Sequence, residues 1–323
     1  MKGYPAFAFE SFKITLYCLI VTACFYFSGV SNTVLLVVFN MAVMSAAATF
    51  SPAKKALLPV LAGSFVIVIS IVLGGLLGFY FSIAAPVLTV LYAGCIFWFS
   101  RRRYWLNAFI NGVVMFLIFT FFPFDLNDGV KYLLFGCIIA VTFALFYVFF
   151  DHVAYKEKRQ FNNDSHEGRI YSGFLVIVTM VIAYLVAYFL KVYAKLEHVY
   201  WVPFTTLVII QGVQFKTVST AVKRMLVNTV GALLIVFLFA YVVPTDFWIN
   251  FLILVVFLFC IFFFGSSYVG RTLFIELFVL SYTHLLGSYH AYIAYDRIIM
   301  TLLGGAIVIV MTFVFMGLKR FQS

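Results

Sequence analysis

The chain has 323 residues, of which 65% are hydrophobic and only 10% charged, with a mean hydropathy of +1.13. Soluble globular domains carry about a quarter of their residues as charges, so this composition excludes that class. The 21 lysines and arginines against 11 acids leave a net charge of +10. In a soluble chain that balance would point to nucleic acid, but the charges are placed otherwise.

Apolar runs of about 20 residues recur along the chain and predict an all-α integral membrane protein. The expected helices lie near 10–28, 31–50, 56–80, 82–100, 104–122 and 130–150, then 170–192, 200–214, 223–243, 247–266, 269–287 and 297–317. This reading divides the chain into a first six-helix part (1–155), a polar connector (156–169) and a second six-helix part (170–323). No connector is long enough for a separate soluble domain. The first run follows Lys2 and Lys13 without a small-residue cleavage site, so it is expected to remain as a helix rather than be removed as a signal peptide. Five cysteines (Cys18, Cys24, Cys95, Cys137 and Cys260) fall within apolar runs at irregular spacings. They read as small buried hydrophobes, and no metal site, cofactor site or disulfide framework follows.

Lysine and arginine placement sets the expected orientation. With the N-terminus inside, only Lys131, Lys191, Lys195 and Arg297 of the 21 fall outside, leaving 17 inside. Both termini are therefore expected in the cytoplasm, and the basic excess is a topology signal with no nucleic-acid partner implied.

The chain also matches itself. A shift of 168 residues superposes Thr49 on Thr217, Ser51 on Ser219, Ala53 on Ala221, Lys55 on Lys223 and Gly63 on Gly231. The same shift carries Arg103 to Arg271, Asp128 to Asp296 and Gly136 to Gly304. Charged residues are scarce here, so their coincidence at one offset predicts a duplicated six-helix unit. Six is even, so both copies would enter the bilayer in the same direction, as parallel repeats.

The densest stretch, Glu197 to Gly231, holds Tyr200-Trp201-Val202-Pro203-Phe204-Thr205-Thr206, a following Gln211, and Arg224-x-x-x-Asn228-Thr229-x-Gly231-Ala232. Further on stands Asp296-Arg297-x-x-x-Thr301-Leu302-Leu303-Gly304-Gly305. In order and spacing these three pieces resemble the fusaric acid resistance (FUSC) family, whose wider group includes aromatic acid exporters and, more distantly, malate-type anion channels of plants. The likeness covers about residues 185–310, and the first half only through the repeat. Asn228 stands where the family pattern has Gly, and the large cytoplasmic domain of many members has no counterpart here.

Glu276 is the most informative side chain. A carboxylate near the bilayer centre costs about 2.5–3.5 kcal/mol on insertion scales, so such residues face a partner or a wet cavity. Thr272, Glu276 and Thr283 lie close to one helical face, with His284 beside it. Two readings stand: a proton-binding site coupled to transport, or a protonated Glu bonded across a helix interface. His284 and His290 are weak proton-relay candidates. Arg103, Asn107 and Asn111 form a polar stripe that would line an anion path, or bond between helices. Arg271 inherits that ambiguity from Arg103.

Lys223 and Arg224 are placed at a helix start, where the dipole disfavours cations, so Arg224 reads as an anion contact or a topology marker. Asp128 and Asp296 read as caps at outer helix starts, Asp296 standing also as a transport or proton-site candidate, with Arg297 pairing with its neighbour Asp296. Gly63, Gly74, Gly75, Gly78, Gly136, Gly231, Gly304 and Gly305 read as sites of close helix packing. Trp98, Trp105, Trp201 and Trp248 read as interfacial anchors.

The resemblance implies a bacterial inner-membrane transporter exporting small organic or aromatic acids, or hydrophobic toxicants. It would be driven by protons, with alternating access between the halves. Thr205, Thr206, Gln211, Arg224, Asn228 and Thr229 would line the path. An anion channel using the same arginines and a non-transporting scaffold are the alternatives, and homo-oligomerisation stays open. No P-loop, Gly-x-Ser-x-Gly or metal-type His/Cys/Glu cluster points to an enzyme.

Overall fold

The computed structural model describes residues 4–49, 57–81, 84–99, 103–154, 169–196, 198–210, 214–243, 246–286 and 290–322. Among them the regular secondary structure is all helical. The helices are α1 (Tyr4–Phe27), α2 (Asn32–Thr49), α3 (Leu57–Tyr80), α4 (Ala84–Phe99), α5 (Arg103–Phe121) and α6 (Leu126–Ala154). They continue as α7 (Arg169–Tyr193), α8 (Trp201–Ile209), α9 (Gln214–Tyr241), α10 (Phe247–Phe263), α11 (Tyr268–Leu285) and α12 (His290–Gln322). Six contain stretches long and apolar enough to cross a membrane: Phe7–Phe27, Leu57–Tyr80, Leu126–Asp151, Leu175–Tyr193, Val218–Tyr241 and Tyr292–Gly317. Four further apolar helical segments are shorter.

The chain divides into two compact units. The first comprises Met1–Thr89, Phe99–Glu167 and Leu258–Ser266, and the second Val90–Trp98, Gly168–Phe257 and Ser267–Ser323. In the first unit α3 packs against α2, α5 and α6, and α1 against α2 and α6. Gly74 and Gly78, one turn apart on α3, let the α5 backbone come close. A Cβ at either would lie 2.5 Å from a carbonyl oxygen, of Phe116 and Thr120 respectively. In the second unit α9 packs against α8, α11 and α12, and α12 also meets α7, α8 and α11. Ala232 and Ile235 of α9 meet Leu277 and Leu280 of α11 and Ile293 and Ala294 of α12 in a buried apolar layer.

Three boundaries differ from the sequence expectation in ways that matter. Helix α8 ends at Ile209, so its nine residues extend about 13 Å, under half of a hydrocarbon core of about 30 Å. It is buried almost all round, with Pro203 in its first turn, where proline is tolerated. Helix α9 begins at Gln214, so the stretch 215–222, expected to connect two helices, is helical. Arg224 is its eleventh residue, beyond the reach of the N-terminal dipole. Helix α12 begins at His290, which puts Asp296 and Arg297 in its second turn, so Asp296 is no cap.

Burial corrects other readings. Lys13, counted as a cytoplasmic marker, is fully buried, and so is Arg297, counted outside. Each lies inside a helix as an ion-pair partner and reports nothing about loop orientation. Of the cysteines only Cys18 is buried, while Cys24 and Cys95 are exposed on their helices. Trp201, read as an interfacial anchor, is buried. Asp128 pairs with Lys131 one turn on, and the N–H of Asp128 is capped by the Asp125 carboxylate instead.

Candidate functional site

The second unit gathers its polar side chains where α8, α9, α11 and α12 meet. Each of three helices contributes a pair spaced by four residues, the spacing that stacks side chains on one face: Thr272 and Glu276 on α11, Arg224 and Asn228 on α9, Arg297 and Thr301 on α12. All six are buried, with Glu276, Arg297 and Thr301 at zero exposure.

At the centre Arg297 grips Glu276 with two nitrogens. Its Nε donates to Oε1 at 2.8 Å and to Oε2 at 3.0 Å, and its Nη2 donates to Oε2 at 2.8 Å. This is the planar fork for which arginine is suited. The guanidinium carbon lies 3.5 Å from the Trp201 ring centroid and 5.5 Å from that of Phe204, so the cation also rests on an aromatic face. The short, largely buried α8 carries that face. Its close seating on α12 needs Gly304, where a Cβ would come 2.9 Å from the Val202 carbonyl oxygen and 3.0 Å from the Thr205 Cβ. Gly231 plays the same part opposite Glu276, with 3.1 Å between an added Cβ and the Glu276 Cγ.

Polar atoms remain over. Arg297 Nη1, Arg224 Nε, Trp201 Nε1, Thr205 Oγ1, Ser281 Oγ and Asn228 Oδ1 are buried without a hydrogen-bond partner among the described residues. The first three can only donate. Asn228 reaches Thr301 Oγ1 at 3.5 Å through Nδ2, and Thr206 reaches the Gly304 carbonyl at 3.5 Å. Arg224 bonds Tyr268 and lies within electrostatic reach of both Arg297 and Glu276. Half-buried Arg271 lies within reach of Arg224 and adds to the positive side. The cluster thus holds two fully buried guanidinium groups against one buried carboxylate.

The other sequence candidates are placed apart from this contact set. Asp296 turns to His198, with Oδ2 2.8 Å from Nδ1, and not to Arg297 as the sequence had indicated. His284 rests on the Phe239 ring with centroids 4.4 Å apart, two turns along α11 from Glu276. Thr229 donates back to the Met225 carbonyl of its own helix. Asn111 is a half-buried residue of α5 in the first unit. The side chains of Arg103, Asn107 and His290, and residue Gln211 altogether, lie outside the described residues.

Two features escaped the sequence reading. One is Arg297 as the partner of Glu276, although the Arg297–Thr301 spacing marked it. The other is in the first unit, where Glu10, Lys13, Tyr147 and Asp151 form a buried polar cluster. The signal there was Glu10 and Lys13 one turn apart in an otherwise apolar run.

No curated protein and no solved structure matches the chain. A family model described as fusaric acid resistance protein-like matches residues 171–311, a span that takes in all six members of the Glu276–Arg297 cluster. By that match, and by the order of its motifs, residues 171–311 of this chain are similar to the fusaric acid resistance protein-like family.

Proposed function

We propose that this multi-pass membrane protein is a transporter of small organic anions, aromatic carboxylates among them, and that the cluster around Arg297 binds the anion. One observation carries the reading: among the described residues two buried arginines face a single buried carboxylate, and each keeps a nitrogen without a hydrogen-bond partner. A buried cation is costly unless paired, so the leftover donors suit an incoming acceptor. A substrate carboxylate supplies acceptors for Arg297 Nη1 and Arg224 Nε, and the Trp201 face beside them suits an aromatic ring.

Glu276 then acts as the resident competitor. It holds Arg297 while the site is empty, and it takes up a proton when the incoming carboxylate displaces it. The cluster's charge is conserved by that exchange, which ties anion movement to proton movement. Export across a bacterial inner membrane, with both termini cytoplasmic, completes the reading. In support of a duplicated six-helix unit, the third helix of each unit packs on its second, fifth and sixth. The first helix likewise meets the second and sixth in both units.

The test is flux. Protein in liposomes is loaded with labelled benzoate under an imposed pH gradient. Uptake that needs the gradient, and that falls at least tenfold in Arg224→Met, supports the reading. Ohmic current in a planar bilayer without a gradient would make it a channel, and no flux of any carboxylate would leave a scaffold.

A further inference from the structure

Trp201 covers the central cation of the anion site, and a polar contact at the rim ties down the segment that carries its ring. Helix α7 ends at Tyr193. Lys195 then takes a left-handed backbone with φ 52°, and the Leu196 N–H reaches back to the Leu190 carbonyl. The His198 carbonyl accepts the Trp201 N–H at 3.2 Å where α8 opens. The His198 side chain turns instead to α12, with Nδ1 2.8 Å from Asp296 Oδ2. The carboxylate accepts, so Nδ1 donates. Asp296 is the chain neighbour of Arg297, whose guanidinium carbon lies 3.5 Å from the Trp201 ring centroid. These contacts close a ring. Side chains join His198 to Asp296, the peptide joins Asp296 to Arg297, cation and ring join Arg297 to Trp201, and the backbone joins Trp201 to His198.

Exposure falls along that ring: His198 and Asp296 are partly exposed, Trp201 is buried and Arg297 is sealed. Tyr200 fills the interval, with its ring 6.2 Å from that of His198 and 4.7 Å from that of Trp201. Gly304 seats Val202 and Thr205 of α8 on α12 by close packing. Ahead of them, the chain meets α12 through the His198–Asp296 contact and the Trp201 ring. A partly exposed pair adds little to stability, but a supporting hydrogen bond fixes the geometry of the groups it holds. We infer that His198 and Asp296 are a positioning pair for the anion site: they hold Trp201 on Arg297, and their release lets the ring swing off the guanidinium. This rests on the anion reading of Arg297 for its consequence, but not for the coupling of His198 to Trp201. Release serves entry and exit alike, so it changes both rates by one factor and leaves affinity unchanged. A pair at this exposure shifts such an opening by up to about fivefold.

Fluorescence of the full chain in lipid nanodiscs tests it, with Trp201 left as the sole tryptophan by Trp98→Phe, Trp105→Phe and Trp248→Phe. Quenching of Trp201 by acrylamide should be weak in this parent and rise by about two- to fivefold in His198→Leu and Asp296→Ala. His198→Asn keeps a donor near the Nδ1 position and should restore the parent value, which a contact serving only as packing would not do. With all four tryptophans kept, His198→Leu should still raise the quenchable fraction, so the test stands without the triple background. Benzoate release by stopped flow should quicken by the same factor while Kd by calorimetry holds. Quenching unchanged in both variants, quenching that His198→Asn does not restore, or release that stays at the wild-type rate overturns the proposal. Raised quenching without any benzoate binding sinks the anion reading and leaves the coupling of His198 to Trp201. Benzoate binding with unchanged quenching does the reverse.

Discussion

Arg297 on α12 and Glu276 on α11 form a two-pronged ion pair with both side chains sealed from solvent, and the Trp201 ring covers the guanidinium from one side. The pair joins two helices of the second unit at the point where α9 brings in Arg224. Its energetics follow from burial, since removing one member of such a pair strands the other.

Glu276→Gln should therefore destabilise the fold by about 3 kcal/mol, the usual cost of leaving one partner of a buried pair uncompensated. Thermal unfolding in detergent measures this. If the vacated guanidinium binds carboxylates, added benzoate should raise the unfolding temperature of the variant more than that of the wild type. An equal shift in both would count against Arg297 as the anion ligand.

Arg224→Met should separate fold from function in the opposite way. The wild-type arginine is buried with its Nε unpartnered, so an apolar side chain of similar length should leave stability unchanged or raise it. A lost charge-assisted bond is worth about 1.5–3 kcal/mol, or about ten- to a hundredfold in affinity. Benzoate binding by calorimetry should weaken by that factor. Lost stability with unchanged binding would assign Arg224 a purely structural part.

Asp296→Asn should be mild. The His198–Asp296 contact is partly exposed, with side chains at 24% and 14%, and such pairs contribute about 0–1 kcal/mol. Unfolding should shift little and benzoate affinity should hold. A loss as large as that of Glu276→Gln would show that Asp296 belongs to the anion site.

Gly74→Ala probes the first unit by itself. The added methyl would meet the Phe116 carbonyl oxygen at 2.5 Å, so α3 and α5 must part. Overpacking of this kind costs about 1–3 kcal/mol. Gly29, with φ +78° and nothing near its Cβ position, is the contrasting turn glycine. There alanine should destabilise through backbone conformation alone, and serine should do no better than alanine.

The chain's composition and apolar run lengths were enough to read a helical membrane protein, because hydropathy and helical period are local properties of the sequence. The order of the Tyr200–Thr206, Arg224–Gly231 and Asp296–Gly305 pieces was likewise enough to read the family resemblance of residues 171–311. Glu276 was legible as a costly residue needing a partner, since that cost depends only on its apolar neighbours. The partner itself was decided by tertiary structure. By sequence Arg297 reads as the partner of the adjacent Asp296, but neighbours on a helix point about 100° apart, and packing turns one to Glu276 and the other to His198. The same holds for Lys13, read as a surface marker, which meets Asp151 only because α1 lies against α6. Which side chains face lipid and which face one another is set by helix packing, and a linear pattern with apolar residues on every face contains no record of it.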